Sequence, residues 1–232
     1  MPENLPFYPK ELSWLSFNER VLQEAADETV PIIERIRFLG IFSSNMDEFY
    51  RVRVANIKRQ VFLDVERPSS TQHAELLSLI SDKVYRLNQS FNEIYSQVVK
   101  RLSRYNINLI DTADLVQSHI TWLEKYFQNK VQRYVIPIWV DEKTSLAPLL
   151  EDNIPFLMVA LHHGDKSQYA VLEVPTEHRP RFVQLPTIKT KRVKNIIMLD
   201  DIITLNLHRV FRELVEFDRV EAFSFKMTRD AK

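Results

Sequence analysis

The sequence contains no cysteine and only two glycines, Gly40 and Gly164. The absence of cysteine excludes disulfides and cysteine-ligated zinc. Two isolated glycines exclude both the dinucleotide-binding fingerprint and the P-loop, because each of these needs clustered glycines to bring the backbone against phosphate. Any phosphate-containing ligand must therefore be bound without a glycine-rich cradle.

The sequence also has no net charge at neutral pH, since 31 Lys and Arg residues balance 31 Asp and Glu residues. The composition therefore predicts no overall attraction to nucleic acid or to an anionic membrane, and an anion site would need local clustering of basic residues. No apolar run reaches membrane-spanning length, and the first residues lack the features of a signal peptide. With 45% hydrophobic and 27% charged residues, we expect an ordinary globular protein located in the cytoplasm.

The stretch from Pro31 to Arg67 carries the most specific local pattern. Pro31 can open a helix, but residues 43–45 (Ser-Ser-Asn) have short polar side chains that compete for backbone hydrogen bonds. Asn45 followed by Glu48 resembles a capping box, which predicts a bend and a second helix starting at Met46. A helix N-terminus exposed at such a bend could hold a phosphate or nucleotide, although a bent helix with a cap and no ligand explains the same pattern.

The first half of the chain has helical periodicity throughout. Residues 11–27 predict a helix whose core face carries Trp14, Phe17, Val21 and Ala25. Residues 73–105 repeat apolar side chains at spacings of three and four, which predicts a helix of roughly 50 Å. We therefore expect an antiparallel helical bundle over residues 1–106. A coiled coil between chains is the alternative use of the long helix.

In the second half the helical periodicity gives way to short apolar runs typical of strands. This pattern predicts an α+β domain over residues 107–232 with a small, partly antiparallel sheet. A helix is expected over residues 115–134, and residues 156–161 and 169–174 predict a hairpin closed by residues 162–168. Asp200 or Asp201 should cap a helix that ends near residue 216. Further short strands are expected at residues 181–185, 195–199 and 221–227.

No catalytic or metal-binding pattern stands out. His162 and His163 fall in the predicted hairpin turn and have no partners at metal-ligand spacing, so we interpret them as solvated. The adjacent Asp200 and Asp201 fit helix capping better than a metal site. We therefore predict no catalytic residue and no metal ligand in this sequence.

Two clusters of basic residues could bind a polyanion. The first comprises Arg51, Arg53, Lys58 and Arg59, and the second comprises Lys189, Lys191, Arg192 and Lys194. Helical geometry points Arg51 and Arg53 in different directions, so the first cluster cannot face one ligand as a whole. For each cluster, a solvated surface is the alternative to a polyanion or partner site.

Two long strings carry a resemblance to a known family. They are ELSWLSFNERVLQEA at residues 11–25 and SNMDEFYRVR at residues 44–53, followed by PRFV at 180–183 and KMTRDA at 226–231. In this order they resemble the amino-terminal part of bacterial polyphosphate kinase of the long, phosphohistidine type. The likeness extends over nearly the whole chain.

The resemblance implies a helical N-terminal domain followed by a truncated head domain. It implies that the full-length enzyme reversibly transfers the terminal phosphate of ATP to inorganic polyphosphate, with Mg²⁺ as cofactor. The phosphohistidine and the Mg²⁺ ligands are expected in later domains, so this fragment should be inactive alone. The nucleotide contact that the resemblance assigns to this sequence is Asn45, whose oxygen could cap the helix while its NH2 faces the ligand.

Partners also follow from the resemblance. ATP and polyphosphate are the expected ligands, a homo-oligomer is the expected assembly, and no nucleic acid is expected; peripheral membrane association of the full-length enzyme stays open. The alternative from another class is a non-catalytic helical adaptor that binds a protein or nucleic acid. Its support is the missing catalytic constellation and the long heptad-like helix.

Overall fold

The computed structural model describes residues 8–63, 70–187 and 192–231. The chain divides into two compact units. One comprises Met1–Ser103 together with Arg229–Lys232, and the other comprises Arg104–Thr228. We call them the helical unit and the α+β unit. Residues 229–231, predicted as part of the second domain, thus group with the helical unit.

The described part of the helical unit contains four α-helices. They are α1 (Lys10–Ala26), α2 (Ile32–Glu48), α3 (Ala55–Leu63) and α4 (Ser70–Leu102), with a π-helical segment at Phe49–Val54 joining α2 to α3. Helices α1 and α2 are joined by a short turn and pack on each other, and both also pack on α4. The predicted helical bundle is therefore present.

Helix α1 buries a face that is shifted from the predicted one: Ala25 is buried and Val21 packs against the core as predicted, but Phe17 does not. Leu15 and Ala25 are fully buried, and so is the polar Asn18. Phe17, predicted to be in the core, is 58% exposed, and Trp14 is only partly buried against the core. Two apolar stripes run along this helix, and packing against α2 and α4 selects the one that contains Asn18.

Helix α4 confirms the long periodic pattern. Its 33 residues span about 50 Å at 1.5 Å per residue. Ile80, Val84, Leu87 and Val98 are buried in the same cluster as the core residues of α1 and α2. The apolar face of α4 is thus covered from within the chain, as in the bundle interpretation.

The buried Arg35 closes the end of α1. Its guanidinium Nε donates to the backbone oxygen of Ala25 at 2.7 Å, and its Nη2 donates to that of Ala26 at 3.4 Å. Arg35 is 1% exposed. Because the last carbonyls of a helix have no partner inside the helix, this side chain satisfies the carbonyl of Ala25, which would otherwise be buried and unpaired.

The α+β unit contains two sheets. The strands are β1 (Ile107–Leu109), β2 (Ile138–Val140), β3 (Pro155–His163), β4 (Lys166–Glu173), β5 (Phe182–Gln184), β6 (Lys194–Met198) and β7 (Arg219–Lys226). The three-stranded sheet has the order β1-β6-β5, with β1 parallel to β6 and β5 antiparallel to it. The four-stranded sheet, β2-β4-β3-β7, is antiparallel throughout. The α+β class is confirmed, with two sheets in place of one.

The hairpin of β3 and β4 closes more tightly than predicted. Gly164 and Asp165 alone form the turn, and Gly164 has a φ of +54°, a left-handed conformation that favours glycine. His162 and His163 therefore lie in β3 and not in a turn. Residues 107–109, where no strand was predicted, form the edge strand β1.

The helices of the α+β unit are shorter than predicted. The expected helix at 115–134 comprises α5 (Gln117–Tyr126), a π-helical turn at Phe127–Val131 and a 3-10 turn at Gln132–Tyr134. The expected helix ending near residue 216 is divided into α6 (Leu199–Leu205) and α7 (Leu207–Phe211).

Helix α6 also begins differently from the prediction. Its N-cap is Met198, which has no side-chain cap, so neither aspartate is the N-cap. Asp200 is buried instead, and its carboxylate pairs with the guanidinium of Arg181 at 2.9 Å. The carboxylate of Asp201 accepts a hydrogen bond from the backbone of Met198. Burial, together with the charges of Asp200 and Asp111, raises the pKa of Asp201.

Candidate functional site

Asn45 lies in the last two turns of α2 and is half-buried. Its side-chain Nδ2 donates to Oδ1 of Asn18 on α1 at 2.9 Å. Asn18, which is fully buried, in turn donates its Nδ2 to the backbone oxygen of Phe42 at 3.2 Å. A chain of hydrogen bonds therefore leads from a buried carbonyl to a side chain that reaches the surface.

The predicted bend and capping box at Asn45 are wrong. Helix α2 continues through residues 43–45, and the backbone oxygen of Asn45 accepts from the N–H of Phe49 as in any helix interior. Glu48, expected to reach back toward Asn45, instead pairs with Arg51 at 2.9 Å. Packing on α1 and α4 outweighs the local preference of short polar side chains, so no helix N-terminus is present here to receive a phosphate.

The irregularity occurs one turn later, in the π-helical segment Phe49–Val54. Such segments are rare and are frequent at functional sites. A cavity of about 560 Å³ opens beside this segment, within the helical unit. It is lined by Lys10, Glu11, Trp14, Glu48, Phe49, Val52, Arg53, Asn56, Arg59 and Ala231. Asn45 itself is not among the lining residues.

The cavity has an aromatic wall and a mixed charged rim. Trp14 stacks on Phe49 with ring centroids 4.9 Å apart. Three cationic and two acidic side chains contribute to the lining, so the charges largely offset one another. Burial raises the pKa of the Tyr50 phenol, which packs edge-on against Phe49 and stays protonated at neutral pH.

The first basic cluster does not face one ligand. Arg51 pairs with Glu48, and Arg59 donates to the backbone oxygen of Ala231 at 3.1 Å. Only Arg53 and Arg59 of this cluster line the cavity, while Lys58 is exposed elsewhere on α3. The helical geometry thus divides the cluster as expected.

The second basic cluster can be described only in part. Lys189 and Lys191 lie outside the described residues. Arg192 precedes β6, and Lys194 is the first residue of that strand, paired with Ile107 of β1. A polyanion site at this cluster therefore stays a hypothesis.

The paired histidines contact neighbouring side chains within the four-stranded sheet. His162 is hydrogen-bonded through Nδ1 to Ser167 at 2.8 Å and lies 3.4 Å from Glu221 through Nε2. His163 Nδ1 is 3.3 Å from an oxygen of Asp218. Among the described residues, no group of three His, Cys, Asp or Glu side chains could hold a metal ion.

A second cavity, of about 610 Å³, lies within the α+β unit beside the start of α5. Asn108 and Asn195, which contact each other at 3.1 Å, form part of its wall together with His119. His119 is buried and its Nε2 contacts the backbone oxygen of Pro186 at 3.3 Å. Its Nδ1 has no partner among the described residues.

Asn18 is the residue that sequence reasoning missed. The sequence analysis assigned it no role, although Leu15, Leu22 and Ala25 surround it at helical spacing. A polar residue within an apolar stripe is a signal for a buried hydrogen bond, because an unpaired amide in a core is costly. Its partners on α2 could not be identified from the spacing.

The protein is of the α+β class. Its helical unit carries a half-buried amide, Asn45, that is hydrogen-bonded to the buried Asn18, and its α+β unit has two small sheets among the described residues. Two family models match it, the polyphosphate kinase N-terminal domain at residues 7–110 and the polyphosphate kinase middle domain at residues 118–232. The chain belongs to the polyphosphate kinase family. The adaptor interpretation is not supported by these matches.

Polyphosphate kinases of several bacteria are similar to nearly the whole of this chain. Polyphosphate kinase of Vibrio parahaemolyticus is 45% identical over 226 residues, which is 97% of this chain and 32% of the relative. That of Escherichia coli K12 is 42% identical over 97% of this chain and 33% of the relative. The chain thus spans about a third of the length of these relatives.

A solved structure agrees with the fold of the chain. The crystal structure of polyphosphate kinase from Porphyromonas gingivalis matches with a TM-score of 0.85 and 34% identity. The match covers 99% of this chain and 34% of that chain. No helix among the described residues is both long enough and apolar enough to cross a lipid bilayer.

Proposed function

We propose that the chain is the amino-terminal part of a polyphosphate kinase that reversibly transfers the terminal phosphate of ATP to inorganic polyphosphate through a phosphohistidine. Support comes from two matched family models that together span almost the whole chain. The chain spans about a third of its relatives, and the family resemblance assigns the phosphohistidine and the transfer chemistry to the remainder of the enzyme. This part contributes a nucleotide contact and a surface for assembly.

The nucleotide contact of the proposal is Asn45. The observation that supports it is the fixed position of a half-exposed carboxamide, held by the buried Asn18 in the helical unit. A carboxamide offers both a donor and an acceptor, which suits the edge of a purine or a ribose hydroxyl. A side chain that is already ordered loses little entropy when it binds.

Replacement of Asn45 by alanine in the full-length enzyme tests this contact. We expect the KM for ATP to rise about three- to tenfold, because a hydrogen bond of this kind contributes roughly 1 kcal/mol. The kcat and the KM for polyphosphate should stay near their wild-type values. Steady-state kinetics with each substrate varied in turn provides the measurement.

Asn92→Ala is the matched control, since Asn92 is an exposed asparagine on α4. It should leave all kinetic constants unchanged. An Asn45→Ala enzyme that folds normally and keeps its KM for ATP would contradict the nucleotide contact. A variant that unfolds would assign to Asn45 a structural role only.

Assembly of the whole enzyme as a homo-oligomer is part of the same proposal. Tyr169 and Phe223 are exposed on the same face of the four-stranded sheet. Ala160 of β3 pairs with Tyr169 of β4 and with Glu221 of β7, so these three side chains share a face. Phe223 lies two residues after Glu221 in β7 and therefore points to that face as well. Exposed aromatic residues of this kind are typical of interfaces. Phe223→Ser should lower the oligomeric mass in sedimentation, whereas the exposed Phe62→Ser should not; an unchanged mass in Phe223→Ser would remove this surface from the proposal.

The cofactor and the location follow from the family alone. Mg²⁺ is proposed for the whole enzyme, where it would neutralise charge on the transferring phosphates. The family resemblance assigns its protein ligands to later domains of the enzyme. A cytoplasmic location is proposed on the same basis, and peripheral membrane association of the full-length enzyme stays open.

A further inference from the structure

The chain of hydrogen bonds from Phe42 to Asn45 has a fixed direction. A backbone carbonyl can only accept, so the side chain of Asn18 must turn its NH2 toward Phe42. The oxygen of Asn18 therefore faces Asn45, and Asn45 must turn its own NH2 toward Asn18. The edge that Asn45 directs away from Asn18 ends in its carbonyl oxygen, Oδ1.

Burial prevents this order from reversing. Asn18 is fully buried between Leu15 and Leu22 on α1, so water cannot replace either of its partners. Rotating its carboxamide by 180° would place two oxygens against each other at Phe42 and two NH2 groups against each other at Asn45. Buried polar groups left unsatisfied in this way are strongly disfavoured.

Oδ1 of Asn45 remains available for a ligand. Among the described residues, the one side-chain hydrogen bond of Asn45 is its donation to Asn18. The backbone groups of Asn45 belong to α2, so its carbonyl oxygen is not needed as a cap. This arrangement is the reverse of the expectation from sequence, in which the oxygen caps a helix and the NH2 faces the nucleotide.

We propose that Asn18 is a positioning residue that presents Asn45 as a hydrogen-bond acceptor, so that the enzyme recognises a donor on the nucleoside part of its nucleotide. The inference rests on the proposed contact of Asn45 with ATP and adds the direction of the hydrogen bond. Two groups of adenosine have the required chemistry: the exocyclic amino group of the base and the hydroxyls of the ribose. Each can donate to Oδ1.

Asn18 has a role that packing alone would not require. Its neighbours on the buried face of α1 are leucine and alanine, and a leucine at position 18 would avoid burying an amide. The oxygen of Asn18 has one partner among the described residues, and that partner is Asn45. The two asparagines therefore form one unit, in which the buried member sets the orientation of the half-exposed member.

Nucleotide analogues with the full-length enzyme test the direction of the hydrogen bond without any substitution. Purine riboside 5′-triphosphate lacks the exocyclic amino group, while 2′-deoxy-ATP and 3′-deoxy-ATP each lack one ribose hydroxyl. We expect one of the three to raise KM about three- to tenfold, which identifies the donor. The Asn45→Ala enzyme should no longer distinguish that analogue from ATP.

Asn18→Leu tests the positioning role. We expect it to raise the KM for ATP by about the same factor as Asn45→Ala and to remove discrimination between ATP and the sensitive analogue. The KM for polyphosphate should not change, and the double variant should be no worse than Asn45→Ala alone, because the two residues act as one unit. Asn92→Leu, at an exposed position on α4, is the control.

Each result has a distinct meaning. If Asn45→Ala keeps the KM for ATP, the proposed contact itself fails. If that KM rises but the wild-type enzyme treats all three analogues like ATP, the acceptor role is overturned while the contact stands. If a folded Asn18→Leu enzyme keeps both the KM and the discrimination, Asn18 is not a positioning residue. Should Asn18→Leu not fold, the smaller Asn18→Ser takes its place with the same expected loss of discrimination.

Discussion

The two units treat their buried polar side chains differently. In the helical unit, Asn18 and Arg35 are buried and donate to backbone carbonyls of a neighbouring helix. In the α+β unit, His119 and Asn206 each make one hydrogen bond and leave one buried atom, Nδ1 and Oδ1 respectively, without a partner among the described residues.

The contrast reflects which backbone groups each side chain reaches. Helix ends expose carbonyls without intrahelical partners, so a donor such as Arg35 both completes a helix and links two helices. In the α+β unit, Asn206 donates to Ile202 four residues earlier in the chain and His119 contacts Pro186, so neither contact joins one helix to a neighbouring helix. The helical unit can therefore carry a polar path from its core to its surface, which is what a positioned ligand contact requires.

Arg35→Met should have the largest effect on stability. Methionine keeps most of the apolar stem but leaves the buried carbonyl of Ala25 without a donor and removes the contact with Ala26, so we expect a loss of about 3 kcal/mol in the free energy of unfolding. Urea denaturation, with hydrogen exchange to report on the helical unit, provides the measurement. Arg37→Met on the same helix removes an exposed pair with Glu34 and should cost less than about 0.5 kcal/mol. Equal effects of the two variants would show that the buried guanidinium is not needed.

Arg181→Met should have the next largest effect, and it acts on the α+β unit. It leaves the carboxylate of Asp200, whose side chain is 6% exposed, without its cationic partner. We expect a loss of about 2 kcal/mol, because a buried charged group is left unpaired. Arg212→Met, which removes an exposed pair with Glu213, is the control. If Asp200→Asn restores the stability of Arg181→Met, the unpaired charge is the cause of the loss.

The smallest effect should be the pH dependence of two aspartates in the α+β unit. Burial raises the pKa of Asp201, so its charged form disfavours the folded state at neutral pH. Asp201→Asn should therefore stabilise the unit at pH 7. The gain in stability should disappear as the pH falls through the raised pKa of Asp201 to below 3.8, the ordinary pKa. Below that pH the carboxyl of Asp201 is neutral in both the folded and the unfolded state. Stability measured by denaturation across this range is the test, and a gain that persists at pH 3 would contradict it.

Asp141 is the matched opposite case. Hydrogen bonds from Thr144 and Lys143 lower the pKa of Asp141, so its charged form favours the folded state. The contribution of Asp141 to folding stability is present above pH 3.8, its ordinary pKa, and is lost as the pH falls through the lowered pKa of the folded state. Asp141→Asn should thus destabilise the unit at pH 7 and should have little effect at low pH.

Long repeated patterns were the most reliable guide from sequence. The spacing of apolar residues predicted α4, whose buried residues Ile80, Val84, Leu87 and Val98 lie on one face, and two apolar runs flanking Gly164 predicted the hairpin of β3 and β4. Short-range signals were less reliable. The capping pattern at Asn45 was wrong because several turns of packing on α1 and α4 outweigh a local preference worth about 1 kcal/mol.

The choice between two apolar stripes on α1 also lay beyond the sequence. The predicted face carries Trp14, Phe17, Val21 and Ala25, whereas the apolar residues that the fold buries are Leu12, Leu15, Leu22 and Ala25. Both have helical spacing, and the partners of the helix decide which face is buried. The rejected stripe includes Phe17, which is exposed, so aromatic content did not identify the core.

Periodicity and composition were enough to specify a helical bundle, an α+β unit and the absence of a glycine-rich phosphate site, because these depend on residues close together in the chain. The orientation of Asn45 is different in kind. It depends on an oxygen 27 residues away on another helix, whose own direction is set by the carbonyl of Phe42. Folding alone brings these three groups together, and so it alone decides which edge of Asn45 a ligand can meet.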